Sequence, residues 1–144
     1  MSPISLTQRW LEALRASGYH LTRTRRLIVE IIATSRRALE PIEIYDLGKK
    51  SYPRLGLVTV YRTLEKLEAL GLVQRLHQQD GCHTYLRAAH GHEHFLICTS
   101  CGRAEPFSGD DLSALTQSVA TQSGYHVQEH WLQLYGLCPD CRMT

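Results

Sequence analysis

Two Cys-x-x-Cys pairs, Cys98-Thr-Ser-Cys101 and Cys138-Pro-Asp-Cys141, set the strongest limit on how this chain can fold. A tight turn can present both thiolates of one pair to a single ion, and two pairs close a tetrahedral shell. Zn²⁺ accepts such a set without redox chemistry, and a closed four-thiolate shell is structural rather than catalytic. The pairs are 36 residues apart, so whatever folds between them is pinned at both ends. A redox dithiol or a pair of disulfides are the rival readings. The first ten residues, MSPISLTQRW, lack the apolar stretch of a secretory leader, so a cytosolic location is expected. In a reducing compartment metal ligation is favoured over disulfides.

The 144 residues allow one ordinary domain or two small ones. A content of 43% hydrophobic and 21% charged residues suits a folded, soluble chain. The longest apolar run, Leu27 to Ala33, is short and broken by Glu30, which argues against a membrane span. Charge is uneven. Residues 1–75 carry 13 Lys/Arg against 7 Asp/Glu, whereas 76–144 carry 3 against 7, together with all five cysteines and seven of the eight histidines. A basic half beside an acidic half loaded with His and Cys points to polyanion binding in one and metal binding in the other.

Periodicity predicts an α+β chain. Leu6, Trp10 and Leu14 recur at helical spacing before Gly18, and Thr22 reads as the N-cap of a helix carrying Leu27, Ile28, Ile31 and Ile32. Pro41 can open a third helix that buries Ile44 and Leu47 and ends near Gly48. A fourth, starting about Thr59, buries Val60, Leu64 and Leu67 before Gly71. Residues 72–76 and 82–86 read as strands around a turn with Asp80-Gly81, giving the order of a winged helix-turn-helix. Beyond the linker, strand, strand, helix and strand are expected, with Phe95 to Cys98 the first strand and His126 to Tyr135 the last. So small an α/β unit calls for a metal staple or a dimer partner. The expected divisions are 1–78 for the winged helix, 79–91 for the wing end and hinge, and 92–144 for a metal-binding dimerisation domain.

His90, His92 and His94 alternate just before the first cysteine pair, so they share a face of an extended segment. His77, Cys82 and His83 lie at the hinge, and Glu93, Glu105, Asp110, Asp111 and Glu129 are nearby oxygen donors. Such a mixed shell suits Zn²⁺ and also accepts Fe²⁺, Mn²⁺ or Ni²⁺.

Across nearly its whole length the chain resembles the ferric uptake regulator (Fur) family. The resemblance rests on Gly18-Tyr-His-Leu-Thr22-x-x-Arg25, Thr59-Val-Tyr61-Arg62, Gly71-Leu-Val73, His92-Glu-His94-Phe-Leu-Ile-Cys98-x-x-Cys101-Gly102 and Gly136-Leu-Cys138-x-x-Cys141. It implies a homodimeric, metal-dependent transcription factor that places a winged helix on a palindromic double-stranded DNA operator. Structural zinc then falls on Cys98, Cys101, Cys138 and Cys141. The family's second-domain site falls on His92, His94 and His130; its usual glutamate falls on Ser113, so Asp110, Asp111 or Glu105 must substitute. The hinge site of the iron sensors falls on Ala38, Leu86, Glu93 and Phe95, which speaks against an iron-type hinge.

What remains at the hinge is His77, Cys82, His83 and His90, with Glu93, a softer set that resembles the zinc-uptake (Zur) branch. Thr59, Tyr61 and Arg62 are placed to read the major groove, and Arg25, Arg23 and Arg26 to position the phosphate backbone. The expected function is a zinc-responsive repressor with structural Zn²⁺ and a second, regulatory divalent metal, most simply Zn²⁺. Iron, manganese, nickel or peroxide sensing is the alternative within the family; a zinc store or a small zinc hydrolase is the alternative outside it. No enzyme activity and no small-molecule substrate are expected, since HExxH and a nucleophile elbow are absent from the sequence.

Overall fold

The computed structural model describes residues 4–77, 81–88, 93–108, 112–130 and 132–143. Its Cα framework divides into two compact units, Met1–Ala88 and Ala89–Thr144. No helix among the described residues is long and apolar enough to cross a membrane.

The first unit contains α1 (Leu6–Ala16), α2 (Arg23–Thr34), α3 (Pro41–Ser51), α4 (Leu57–Ala69) and the hairpin β1 (Val73–His77) and β2 (His83–Arg87). Local chemistry sets the helix starts. Ser5 Oγ accepts from Gln8 N at 3.2 Å, and Thr22 Oγ1 accepts from Arg25 N at 3.2 Å. At α3, Pro41 follows Glu40, whose backbone N–H donates to Glu43 Oε1 at 3.2 Å in a capping box. Gly71, at φ 72°, turns the chain from α4 into β1 in a conformation that side chains disfavour.

Each helix gives one stripe to a shared core that includes Trp10, Leu14, Ile28, Ile32, Ile44, Val60, Leu64 and Leu67. Gly48 lets α3 lie against the turn before α4, because a Cβ there would collide with Leu55 Cδ2. The hairpin pairs antiparallel from Val73↔Arg87 to His77↔His83. Leu39 adds a bridge to Tyr85, with backbone bonds of 2.9 and 2.8 Å, tying the α2–α3 connection to the wing.

The second unit contains β3 (Glu93–Cys98), β4 (Ala104–Ser108), α5 (Ser113–Ser123), β5 (Gln133–Gly136) and the single turn α6 (Pro139–Arg142). Its sheet has the order β4-β3-β5, with β3–β4 antiparallel and β3–β5 parallel. Phe95 and Ile97 are buried on one face of β3, whereas Leu96 on the other is exposed. The last strand is shorter than the predicted 126–135. In the observed register Phe95 faces Gln133, so partners for 126–130 would fall upstream of the start of β3.

Candidate metal centre and nucleic-acid interface

Parallel pairing brings the two cysteine pairs together. Cys98 ends β3 opposite Gly136 at the end of β5, so both turns leave the sheet at the same end. Thr99 N donates to Gly136 O at 2.8 Å, and Gly102 N returns to Cys98 O at 3.0 Å. Gly102 holds φ 76°, which closes the first knuckle in the left-handed region. The second knuckle is the first turn of α6, where Cys138 Sγ accepts from Cys141 N at 3.5 Å. Cys138 N in turn donates to Cys98 Sγ at 3.3 Å.

The sulfurs of Cys98, Cys101, Cys138 and Cys141 all lie within 4.8 Å of one another, and Cys101 and Cys138 are 3.9 Å apart. Among the described residues, none of the four forms a disulfide. A tetrahedron with Zn–S arms of about 2.3 Å has edges of about 3.8 Å, so this set is already spaced for one tetrahedral ion. Among the described residues it is the only group of three or more potential ligands brought together in this way. The donor set fits a divalent metal.

The thiols are electrostatically unequal. Backbone N–H groups of Cys101 and Cys138 lower the Cys98 thiol to about 6. Ser100 favours the Cys141 thiolate, but the hydrogen bond with Cys138, burial, and the Cys101 and Cys98 thiols outweigh it and push Cys141 up to about 12. Beside them lies Arg103, which the sequence reading overlooked. Its Nη1 donates to Asp140 Oδ2 at 3.1 Å, and its Nε pairs with Glu105 Oε1 at 3.3 Å. The cysteine spacing carries no signal for such a residue.

The histidines are distributed differently. His94 is buried on β3, its ring 5.6 Å from that of Phe107 and 5.7 Å from that of His130, which is exposed. His94 Nε2 has no hydrogen-bond partner among the described residues, leaving a buried nitrogen available as a ligand. Glu105 does not join this pair in a three-ligand cluster; it is held by Arg103 instead. His90, His92, Asp110 and Asp111 lie outside the described residues, as does the side chain of His77. Cys82 is exposed immediately before the wing's second strand, beside half-buried His83. Both line a pocket of about 270 Å³ with Glu40, Pro41, Tyr61 and Tyr85. Glu93 is half-buried at the start of β3.

In the first unit α3 and α4 form a helix-turn-helix whose second helix opens without an acidic residue in its first turn. Val60, Leu64 and Leu67 face inward. Tyr61 and Arg62 face outward, and Tyr61 is 47% exposed. Thr59 is half-buried, its carbonyl accepting from Thr63 Oγ1 at 2.8 Å. Val58 is 63% exposed beside them, an apolar residue that the reading of the buried stripe passed over. Lys49, Lys50 and Arg54 add positive charge around the turn. Of the three arginines expected on phosphates, Arg26 is exposed, Arg23 lies 5.2 Å over the Tyr52 ring, and Arg25 Nη1 donates to the His20 carbonyl.

A winged helix in a basic N-terminal half, followed in the chain by an α/β unit that gathers four cysteine sulfurs, fits a metal-linked DNA-binding protein. Residues 16–135 match the model of the ferric uptake regulator family, and the chain belongs to that family. It is similar to the zinc uptake regulation protein of Mycobacterium tuberculosis, 33% identical over 129 residues that cover 90% of this chain and 99% of that protein. It is likewise similar to the ferric uptake regulation protein of Cupriavidus metallidurans, 37% identical over 132 residues covering 89% and 92%. Among solved structures, the Vibrio cholerae ferric uptake regulator matches with a TM-score of 0.70 at 28% identity, covering 88% of this chain and 98% of that one. The protein is thus a metal-responsive transcription regulator, not an enzyme, in a family of dimeric DNA-binding proteins.

Proposed function

We propose that this chain is a zinc-responsive transcriptional repressor that binds a palindromic operator as a homodimer when its regulatory metal site is filled. Structural Zn²⁺ is held by Cys98, Cys101, Cys138 and Cys141. Regulatory Zn²⁺ is held by ligands among His92, His94 and His130 with Asp110, Asp111 or Glu105, and among His77, Cys82, His83, His90 and Glu93. A filled site represses by favouring the form of the protein that fits DNA.

The observation that carries the zinc reading is the character of the positions where the resemblance puts iron-sensing hinge ligands. Three of the four, Ala38, Leu86 and Phe95, are 2%, 3% and 1% exposed, apolar members of the packed interior with no donor atom to offer, which leaves half-buried Glu93 as the one position with a donor. The exposed Cys82 thiol beside His83 is a softer donor set than the nitrogen and oxygen shell those positions would supply. Thr59, Tyr61 and Arg62 read the major groove, with Arg23, Arg25 and Arg26 on the backbone; the outward placement of Tyr61 and Arg62 supports this.

The test is DNA binding in a free-zinc buffer, using operators selected from a random duplex library. Cys82→Ser is expected to raise the zinc concentration for half-maximal binding about tenfold or more, with dimer and structural zinc unchanged. Coincident curves for wild type and variant would remove Cys82 from the regulatory shell.

A further inference from the structure

Arg103 crosses from the first knuckle to the second. Its own carbonyl accepts from Cys98 N at 2.8 Å, so its backbone is fixed to the first ligand. Its side chain reaches Asp140, which lies inside the Cys138–Cys141 turn, at 3.1 Å. Arg103, Cys98 and Cys138 also line one small cavity. The two carboxylates that hold the guanidinium are largely in water: the Asp140 and Glu105 side chains are 83% and 59% exposed, against 34% for Arg103. Their charge is better screened than that of the guanidinium they steer.

Four thiolates on a divalent ion leave two net negative charges, which a neighbouring cation stabilises. We propose that Arg103 is the charge partner of the tetrathiolate centre, a positioning residue steered by Asp140 and Glu105 that draws electron density from the thiolates and slows loss of the ion. The proposal rests on the reading that these cysteines hold Zn²⁺. Arginine suits the role because its planar fork engages both carboxylates while its charge is permanent.

The experiment compares the full-length chain with Arg103→Gln and Arg103→Lys. Zinc content is measured on each, and zinc transfer to 4-(2-pyridylazo)resorcinol is then followed at fixed pH. Arg103→Gln is expected to release zinc roughly two- to fivefold faster, and less so at high salt, while Arg103→Lys stays near wild type. In Co²⁺-loaded protein the thiolate-to-metal charge-transfer band should move to lower energy in Arg103→Gln but not in Arg103→Lys. The ligand-field bands, which report tetrahedral geometry, should not move. Equal release from wild type and Arg103→Gln would overturn the proposal. Release from Arg103→Lys as fast as from Arg103→Gln would also overturn it, reducing Arg103 to a mechanical pin. A wild-type chain without zinc at these cysteines would instead overturn the metal reading beneath it.

Discussion

At the residue scale, the unequal thiols of the cysteine centre determine how metal binding responds to protons. Zinc takes thiolates, so each ligand that is protonated without metal must lose its proton on binding. Cys98, lowered to about 6 by N–H donors, is already a thiolate at neutral pH. Cys141, pushed up to about 12, keeps its proton until a bound divalent metal displaces it. Apparent zinc affinity should therefore rise with pH across the neutral range. Below about pH 6 Cys98 must also be deprotonated, and the slope should steepen by about one proton. Chelator competition over roughly pH 5 to 8 measures this. An affinity independent of pH, or a slope that flattens in acid, would contradict the assignment.

At the scale of elements, legibility followed the amount of local signal. Thr22, Pro41 and Gly71 mark helix ends by backbone chemistry that needs no tertiary partner, and each is found doing so. The four sulfurs meet as the cysteine spacing leads one to expect. Elements fixed by partners were harder to read. A second strand is expected before the helix, but Glu105 and Pro106 look like loop and give no signal for its bounds; β4 lies at a sheet edge, where a proline is tolerated. The strand expected over 126–135 is cut to Gln133–Gly136 because β3 supplies a parallel partner only there. The pairing of buried His94 with half-buried Phe107 is set by register between strands, which spacing along one strand does not report. For α4, the outward face is free of core duties, so Arg62→Ala should leave dimerisation and metal content intact. It should weaken operator binding by about 1–3 kcal/mol in an electrophoretic or fluorescence titration. Unchanged affinity would remove Arg62 from the reading face.

At the scale of the whole molecule, the division of charge and metal ligands along the chain corresponds to two units with different surfaces. The first has a completed core and the chain's excess of positive charge, 13 Lys/Arg against 7 Asp/Glu over residues 1–75. The second leaves Leu96, Leu115, Val119, Leu134 and Tyr135 exposed, and α5 buries none of its residues. A small sheet with that much apolar surface fits a unit completed by a second copy, as in a family of dimeric regulators. Metal specificity separates a zinc-responsive regulator from the other regulators of the family. Its most direct test is a titration of the metal-stripped regulatory sites, with structural zinc retained, against a fixed concentration of selected operator under anaerobic conditions. Zn²⁺, Fe²⁺ and Mn²⁺ are each buffered at defined free concentration. Zn²⁺ should drive operator binding at free concentrations at least about a hundredfold below those needed for Fe²⁺ or Mn²⁺. Operator binding driven by Fe²⁺ or Mn²⁺ at concentrations where Zn²⁺ has no effect would contradict it.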